Sequence, residues 1–202
     1  MKTISLIVTL FLTTVAGYAQ PAPSTKSGFR GAMDKLWEDH VTWTRLYIVS
    51  AAADLPDKDA TAQRLLQNQA DIGNAIKPVY GEVAGEKLTG LLKDRITIAT
   101  EIIDAAKAGD TAKKDEAANR WKTNADDIAT FLSNANPKNW PVDEMKKMMQ
   151  QHLDLTTNEV VARLHGDWAA DIAAYEKVHE QILKMADMLS GGITKQFPNK
   201  FK

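Results

Sequence analysis

The 202-residue chain contains no cysteine. That excludes disulfides, a thiolate zinc site, covalent c-type haem, a cysteine nucleophile and the acylated cysteine of a lipoprotein. Stability must come from burial and helix packing alone. Excess charge of one sign is missing too: 25 Lys and Arg stand against 26 Asp and Glu, interspersed, for a formal net charge of −1. There is no basic footprint for nucleic acid and no acidic tail, so nucleic acid is not an expected partner. Sequence signatures of catalysis are absent as well: no Gly-x-Ser-x-Gly, Ser-x-x-Lys, phosphate loop or His-Glu-x-x-His occurs. Serine is scarce after the N-terminal segment, and most carboxylates fall on polar faces. The expectation is a binding or scaffold protein, not an enzyme, whose partner is a small ligand or another protein.

Long apolar runs are confined to the N-terminus. Met1-Lys2 gives a short positive start, Ile4 to Val15 is mostly apolar, and Gly17-Tyr18-Ala19 puts small residues where a signal peptidase reads. The stretch is shorter than the ~20 residues a spanning helix needs. Residues 1–19 therefore read as a secretory signal peptide, and no later segment is expected to span a membrane. The expected location is outside the cytoplasm, periplasmic or extracellular. Residues 20–28, with two Pro and two Ser, read as a disordered lead-in, and 29–202 as one helical domain.

What is present is an internal repeat. Leu36-Trp37-Glu38-Asp39-His40-Val41-Thr42-Trp43-Thr44 returns as Leu91-Leu92-Lys93-Asp94-Arg95-Ile96-Thr97-Ile98-Ala99 and as Met148-Met149-Gln150-Gln151-His152-Leu153-Asp154-Leu155-Thr156. A second signature follows each: Ala70-Asp71-Ile72, Asp126-Asp127-Ile128 and Ala186-Asp187-Met188. A period of about 56 residues is one supersecondary unit copied. Around His40, Arg95 and His152 the apolar residues recur at offsets of three, four, seven and eight, one face of an α-helix. Leu55-Pro56-Asp57, Ala108-Gly109-Asp110 and His165-Gly166-Asp167 stop these helices, and each Asp is placed to cap the next. Return helices follow, with stripes Ala62, Leu65, Gln69, Ile72; Ala117, Trp121, Ala125, Ile128; and Ile172, Tyr175, His179, Ile182. Pro78, Pro137 and Pro198 are expected to follow them. The fold class is all-α: a six-helix bundle of three antiparallel αα-hairpins at about 29–81, 82–140 and 141–202, closed in preference to an open stack. Trp140, Tyr80, Phe197 and Phe201 lie in linkers and the tail, where they are expected to cover helix ends.

The candidate site residues come from the repeat. His40, Arg95 and His152 each lie between apolar neighbours one turn away on both sides, so each points inward. A buried polar side chain without a partner costs ~1–3 kcal/mol, and Asp71, Asp127 and Asp187 are the partners the second signature offers. Two readings stand. Either the six residues form internal pairs that fix helix register, or pseudo-symmetry gathers them into a binding site. Arg95 rules out a three-histidine metal site, because guanidinium stays protonated, and suits an anionic ligand instead. No cofactor is expected under either reading. A separate alternative is a copper or zinc site. Met145, Met148, Met149 and His152 share one helix face, and thioether with imidazole suits Cu(I). Glu176 and His179 have the Glu-x-x-His spacing of di-iron carboxylate sites but lack its second copy. The metal set is then His152, His179, Met148 and Glu176, set against the plain reading of methionine as core filler.

These blocks, together with the closing Gln196-Phe197-Pro198-Asn199-Lys200-Phe201, resemble a group of small exported bacterial all-helical proteins without an established activity. The likeness runs from about Leu36 to Phe201. It implies the same domain boundaries and no particular chemistry.

Overall fold

The computed structural model describes residues 25–202. The signal-peptide reading of residues 1–19 and the lead-in up to residue 24 lie outside the described residues. Thr25 Oγ1 accepts a hydrogen bond from the Gly28 amide at 3.1 Å and caps helix α1, Lys26–Ala52. The helix thus starts earlier than the expected boundary at residue 29, because a threonine cap is available before it. Five further helices follow: α2 Lys58–Tyr80, α3 Glu82–Lys107, α4 Thr111–Ala135, α5 Val142–Leu164 and α6 Trp168–Gln196, then a 3₁₀ turn at Pro198–Lys200. No strand occurs among the described residues.

The turns form where Gly, Pro and Asp place them. Gly109 and Gly166 take φ of +69° and +73°, the left-handed conformation that ends a helix without Cβ strain. Asp110 and Asp167 then cap α4 and α6 by accepting from the amides of Lys113 and Ala170, both at 3.0 Å. Asp57 makes no such side-chain bond. Pro78 does not follow α2 but lies inside its last turn, and the reversal into α3 is made by Gly81 alone, at φ +88°.

Each helix packs on its neighbours in sequence, α6 closes back on α1, and α1 leans inward to touch α3 and α5. The architecture is a closed bundle in which α1, α3 and α5 run one way and α2, α4 and α6 the other. The α2 and α3 backbones approach closely at two glycines. A Cβ on Gly73 would meet Gly85 O at 2.6 Å, and one on Gly85 would meet Gly73 O at 2.7 Å.

A recurrent hydrogen bond ties the return helices to the first helices. Asn68 Nδ2 donates to Leu36 O at 3.0 Å, Asn124 Nδ2 to Leu91 O at 3.0 Å, and Gln181 Nε2 to Met148 O at 3.3 Å. The three carbonyls lie one turn before His40, Arg95 and His152. In the third return helix the place of the asparagines is therefore taken by Gln181. The inner stripe of α6 is displaced as well. Asp171, Ala174, Val178 and Gln181 are buried, while Ile172 is 54% exposed and Tyr175 and His179 are half-buried.

The main core runs from Phe29 and Phe201 at one end through Trp37, Ile72, Ile128 and Ile182 to the middle of the bundle. Trp140 is 1% exposed, lies over Gly192 and donates to Met188 O at 3.3 Å, and Phe29 stacks on Phe201 at 4.8 Å. The linker and tail aromatics thus cover helix ends. A second, smaller cluster of Tyr47, Ile48, Ala51, Leu65, Ile96 and Ile103 lies toward the opposite end, where the Gly-Asp turns are.

Candidate ligand-binding site

His40, Arg95 and His152 project from α1, α3 and α5 into the middle of the bundle, where they are 3%, 4% and 4% exposed. The imidazole centroids of His40 and His152 are 5.8 Å apart. Gln69 Nε2 donates to His40 Nδ1 at 3.1 Å, so His40 is neutral with its proton on Nε2. His152 Nδ1 lies 2.8 Å from Gln181 Oε1. Because Gln181 Nε2 is already directed at Met148 O, Nδ1 is the donor. Burial, then His152 and Arg95, hold the His40 pKa well below the usual imidazole value. Burial, then Arg95, push His152 down to about 3. Both rings are uncharged at neutral pH, and Arg95 is the one cation of the layer.

Arg95 has an unusual environment. Its guanidinium lies over the Trp121 ring at 5.1 Å, and Trp121 Nε1 donates to Arg95 O at 3.1 Å. Nη1 and Nη2 are buried without a hydrogen-bond partner among the described residues. Burial alone brings its pKa down to about 10. Gln69 Oε1 and Asn124 Oδ1 are likewise buried and unpartnered.

The expected aspartate partners are not in this layer. Asp71 accepts from Gln67 at 3.0 Å and faces Arg64 at 3.7 Å on the outside of α2. Asp127 is exposed, at a groove between α3 and α4. Asp187 pairs with Arg30 at the surface. The amides of Gln69 and Gln181 take the role given to Asp71 and Asp187. A neutral imidazole offers one donor and one acceptor, and in each ring an amide pairs with Nδ1 without burying a second charge.

The alternative metal set is not assembled either. His152 is at the bundle centre, whereas His179 Nε2 lies 3.1 Å from Glu38 on the outer face, Glu176 is exposed and Met148 lines a shallow groove with Lys177 and Glu180. Among the described residues no group of three His, Cys, Asp or Glu is placed to hold a metal ion.

Sequence reading missed a buried charge network. Arg45 Nη1 donates to Glu159 Oε1 at 2.8 Å and to Asp171 Oδ1 at 2.6 Å, and its Nη2 donates to Asp171 Oδ2 at 2.9 Å. Arg163 adds a bond to Asp171 at 3.3 Å, and Arg45 lies over the Tyr175 ring. Two cations meet two carboxylates, the arrangement a low-dielectric interior requires. The Arg45 fork lowers the Asp171 pKa and raises that of Arg45, while burial pushes Glu159 up to about 7 against the pull of Arg45. Glu159 falls on the inward stripe of α5 in sequence, which was the available signal.

Directly beneath the His40–Arg95–His152 layer is a cavity of about 490 Å³. Its roof is formed by Thr44, Ala99 and Thr156, each one turn further along the helix than its layer residue. Thr44 and Thr156 turn their hydroxyls back onto the carbonyls of His40 and His152, at 2.8 and 2.9 Å. The smaller core cluster, with Ile102 and Val160, makes the apolar wall, and Trp121 lines the side below Arg95. The cavity opens between α4 and α5, with Lys114 and Lys122 on one lip and Gln150, Asp154 and Asn158 on the other. It exists because the repeat places small residues at the same height on all three inner helices. Ala99 and Ala118, which a packed bundle would replace with Leu or Ile, are part of its surface.

No family model, curated protein or solved structure matches the chain, in keeping with its likeness to a group without established activity. None of the described helices is long and apolar enough to cross a membrane.

Proposed function

We propose that this protein is a ligand-binding helical bundle that takes a small, largely apolar molecule into the cavity under the polar layer, and that it does so outside the cytoplasm. The observation that carries the reading is the cavity itself. Small-molecule sites are concave, mostly apolar, ~300–1,000 Å³ in volume and furnished with few polar groups, and they recur between the helices of bundles. Volume, apolar wall and sparse hydroxyls all fit. Binding is preferred to catalysis because the two histidines are fully buried, each bonded to a glutamine amide, with no nucleophile beside them.

The test is titration with N-phenyl-1-naphthylamine, a neutral lipophilic dye that fluoresces when buried. Saturable binding near one dye per chain is expected, and it should be lost in Ala118→Trp, which fills the cavity from α4. Absent binding, or binding indifferent to Ala118→Trp, would reject the cavity as a site. Export rests on the segment Ile4 to Val15 and the small residues before Gln20. N-terminal sequencing of protein from the cell envelope or medium should begin at Gln20. Intact Met1 on cytoplasmic protein would reject export.

A further inference from the structure

Resting on the cavity as a binding site, we propose that its ligand is a single-chain anionic amphiphile, an alkyl carboxylate whose chain lies under the polar layer and whose head group is held by Lys114 where the cavity reaches the surface. Three observations lead there. First, the donors of the interior are committed to the protein itself. The hydroxyls of Thr44, Thr100, Thr156 and Thr157, all in the lining, donate to the carbonyls of His40, Thr97, His152 and Leu153 at 2.8, 2.7, 2.9 and 2.8 Å. Trp121 Nε1 donates to Arg95 O, and the Tyr47 hydroxyl lies beside Thr100. A sugar or a nucleoside entering here would give up hydrogen bonds to water without replacement, whereas a hydrocarbon chain gives up none. About 490 Å³ exceeds the volume of a ten-carbon chain. Second, the cavity continues toward the Gly-Asp turns. An open groove adjoins it there, and Ala106, Lys114, Val161 and Leu164 line both. Their shared boundary is three apolar side chains and one cation, which suits a chain that ends in a negative charge. Third, Lys114 is the lysine of that groove left for a ligand. Lys107 is bound to Ala51 O and Asp54, and Asp110 is bound to the Lys113 amide and ammonium. Lys114, its side chain 42% exposed, meets only its chain neighbour Asp115 at 3.4 Å, a surface pair of the kind that contributes little. The one carboxylate in the cavity lining, Asp154, stands on the opposite lip and accepts from Gln150 at 2.8 Å.

Lys122, two turns along α4 on the same lip, and the Tyr47 hydroxyl inside offer competing places for the head group, and the experiment separates the three. Decanoate and 1-decanol, which share a chain length and differ in charge, are titrated at pH 8 as competitors of the neutral dye. Water holds a carboxylate more strongly than a hydroxyl, so an apolar cavity with no cation at its mouth favours the alcohol. Wild type is expected to bind decanoate at least threefold more tightly than 1-decanol at low salt, with the preference shrinking in about 0.5 M NaCl. Lys114→Gln should reverse the order while leaving 1-decanol and dye binding in place, which also shows that the variant is folded. Lys114→Arg should restore the preference for the acid, and Lys122→Gln and Tyr47→Phe should keep it. Decanoate bound no more tightly than 1-decanol by wild type, a preference that survives Lys114→Gln, or one that is lost with Lys122→Gln or Tyr47→Phe would overturn the proposal while leaving the cavity as a site. Failure of the dye and both chains to bind would overturn the cavity reading as well.

Discussion

Replacing Arg95 with Met should make the ligand-free protein more stable, the reverse of what deleting a buried side chain usually does. Burial lowers the Arg95 pKa from 12.5 to about 10. One pKa unit corresponds to about 1.36 kcal/mol, so holding the cation in the core opposes folding by roughly 3 kcal/mol. Two terms work against removing it. The stack on Trp121 at 5.1 Å is lost, worth roughly 0.5–2 kcal/mol. Met also fills the space less regularly than the guanidinium did. On the other side, the thioether chain adds apolar burial where a charge stood. The expected outcome is a gain of about 1–3 kcal/mol, read as a higher urea midpoint at pH 7.5 with an unchanged slope. Because Arg95 also depresses both histidines, the gain should be the same at pH 5.5 as at pH 7.5 and should grow only as pH falls toward the folded His152 pKa of about 3. A loss of more than ~1 kcal/mol at pH 7.5 would refute the reasoning, since it would mean that the guanidinium is already satisfied in the empty protein.

Acid should destabilise the fold. The pKa of His152 falls from 6.5 unfolded to about 3 folded, and that of His40 moves the same way. The unfolded chain therefore takes up protons first, and stability is flat above pH 7 and drops below 6.5, by up to ~1.4 kcal/mol per pH unit for each ring. Glu159, raised from 4.5 to about 7, acts oppositely between those values, so the drop should steepen below pH 4.5; urea midpoints that stay level from pH 7.5 to 4.5 would contradict this. Gln69→Leu should lose ~1–3 kcal/mol by stranding His40 Nδ1 and removing the bond to Leu65 O, whereas Asp71→Ala should stay within ~0.5 kcal/mol, the scale of a surface change; a reversed order in denaturant melts would restore the aspartate as partner. Gly73→Ala should cost ~1–3 kcal/mol through its clash with Gly85 O, while Gly90→Ala, with open space around it, should gain ~0.5–1 kcal/mol, both checked by thermal melts. Arg45→Met should cost ~3–5 kcal/mol by leaving Glu159 buried without a cation and Asp171 with Arg163 alone; a loss below ~1 kcal/mol would show the carboxylates reaching solvent.

Helix positions were legible because they depend on local signals. The helical period, the Gly-Asp turns and Pro137 set element boundaries near where they are found. The inward direction of His40, Arg95 and His152 was legible for the same reason, since flanking apolar residues one turn away determine a face. Their partners were not. A repeat signature aligns residues by identity, and Asp71 and Asp127 matched well. The hydrogen bonds, however, come from Gln69 and Gln181, which sit nearer the centre of the buried face than Asp71 does. In α6 the aligned Asp187 lies further from its turn than Asp71 does and pairs with Arg30 instead. The Arg45–Glu159–Asp171 network spans α1, α5 and α6 and has no local signature; only Glu159 on an otherwise apolar stripe hinted at it. The cavity left a trace, in Thr44, Ala99 and Thr156 at matching repeat positions, but small residues in a repeat equally permit close helix packing, and only the positions of α4 and α5 decide between the two.

The two ends of the bundle explain how the fold tolerates both a hollow and an unbalanced cation. Toward the end carrying Trp140, burial is dense: Trp140 over Gly192, Phe29 on Phe201, Tyr80 against Phe197, with the α2–α3 backbones in contact nearby at Gly73 and Gly85. Each large side chain buried there stabilises by roughly 1.5–3 kcal/mol, enough for that end and the middle to hold the helices in register by themselves. Toward the Gly-Asp turns, packing is replaced by specific polar fixation. The Arg45–Glu159–Asp171 network clamps α1, α5 and α6 together, and Lys107 bonds Ala51 O and Asp54 to hold α3 against the first turn. Neither clamp reaches the seam between α4 and α5, which is where the cavity opens. A ligand entering there would not have to break any of the contacts that hold the bundle, so its binding free energy would add to the stability of the fold.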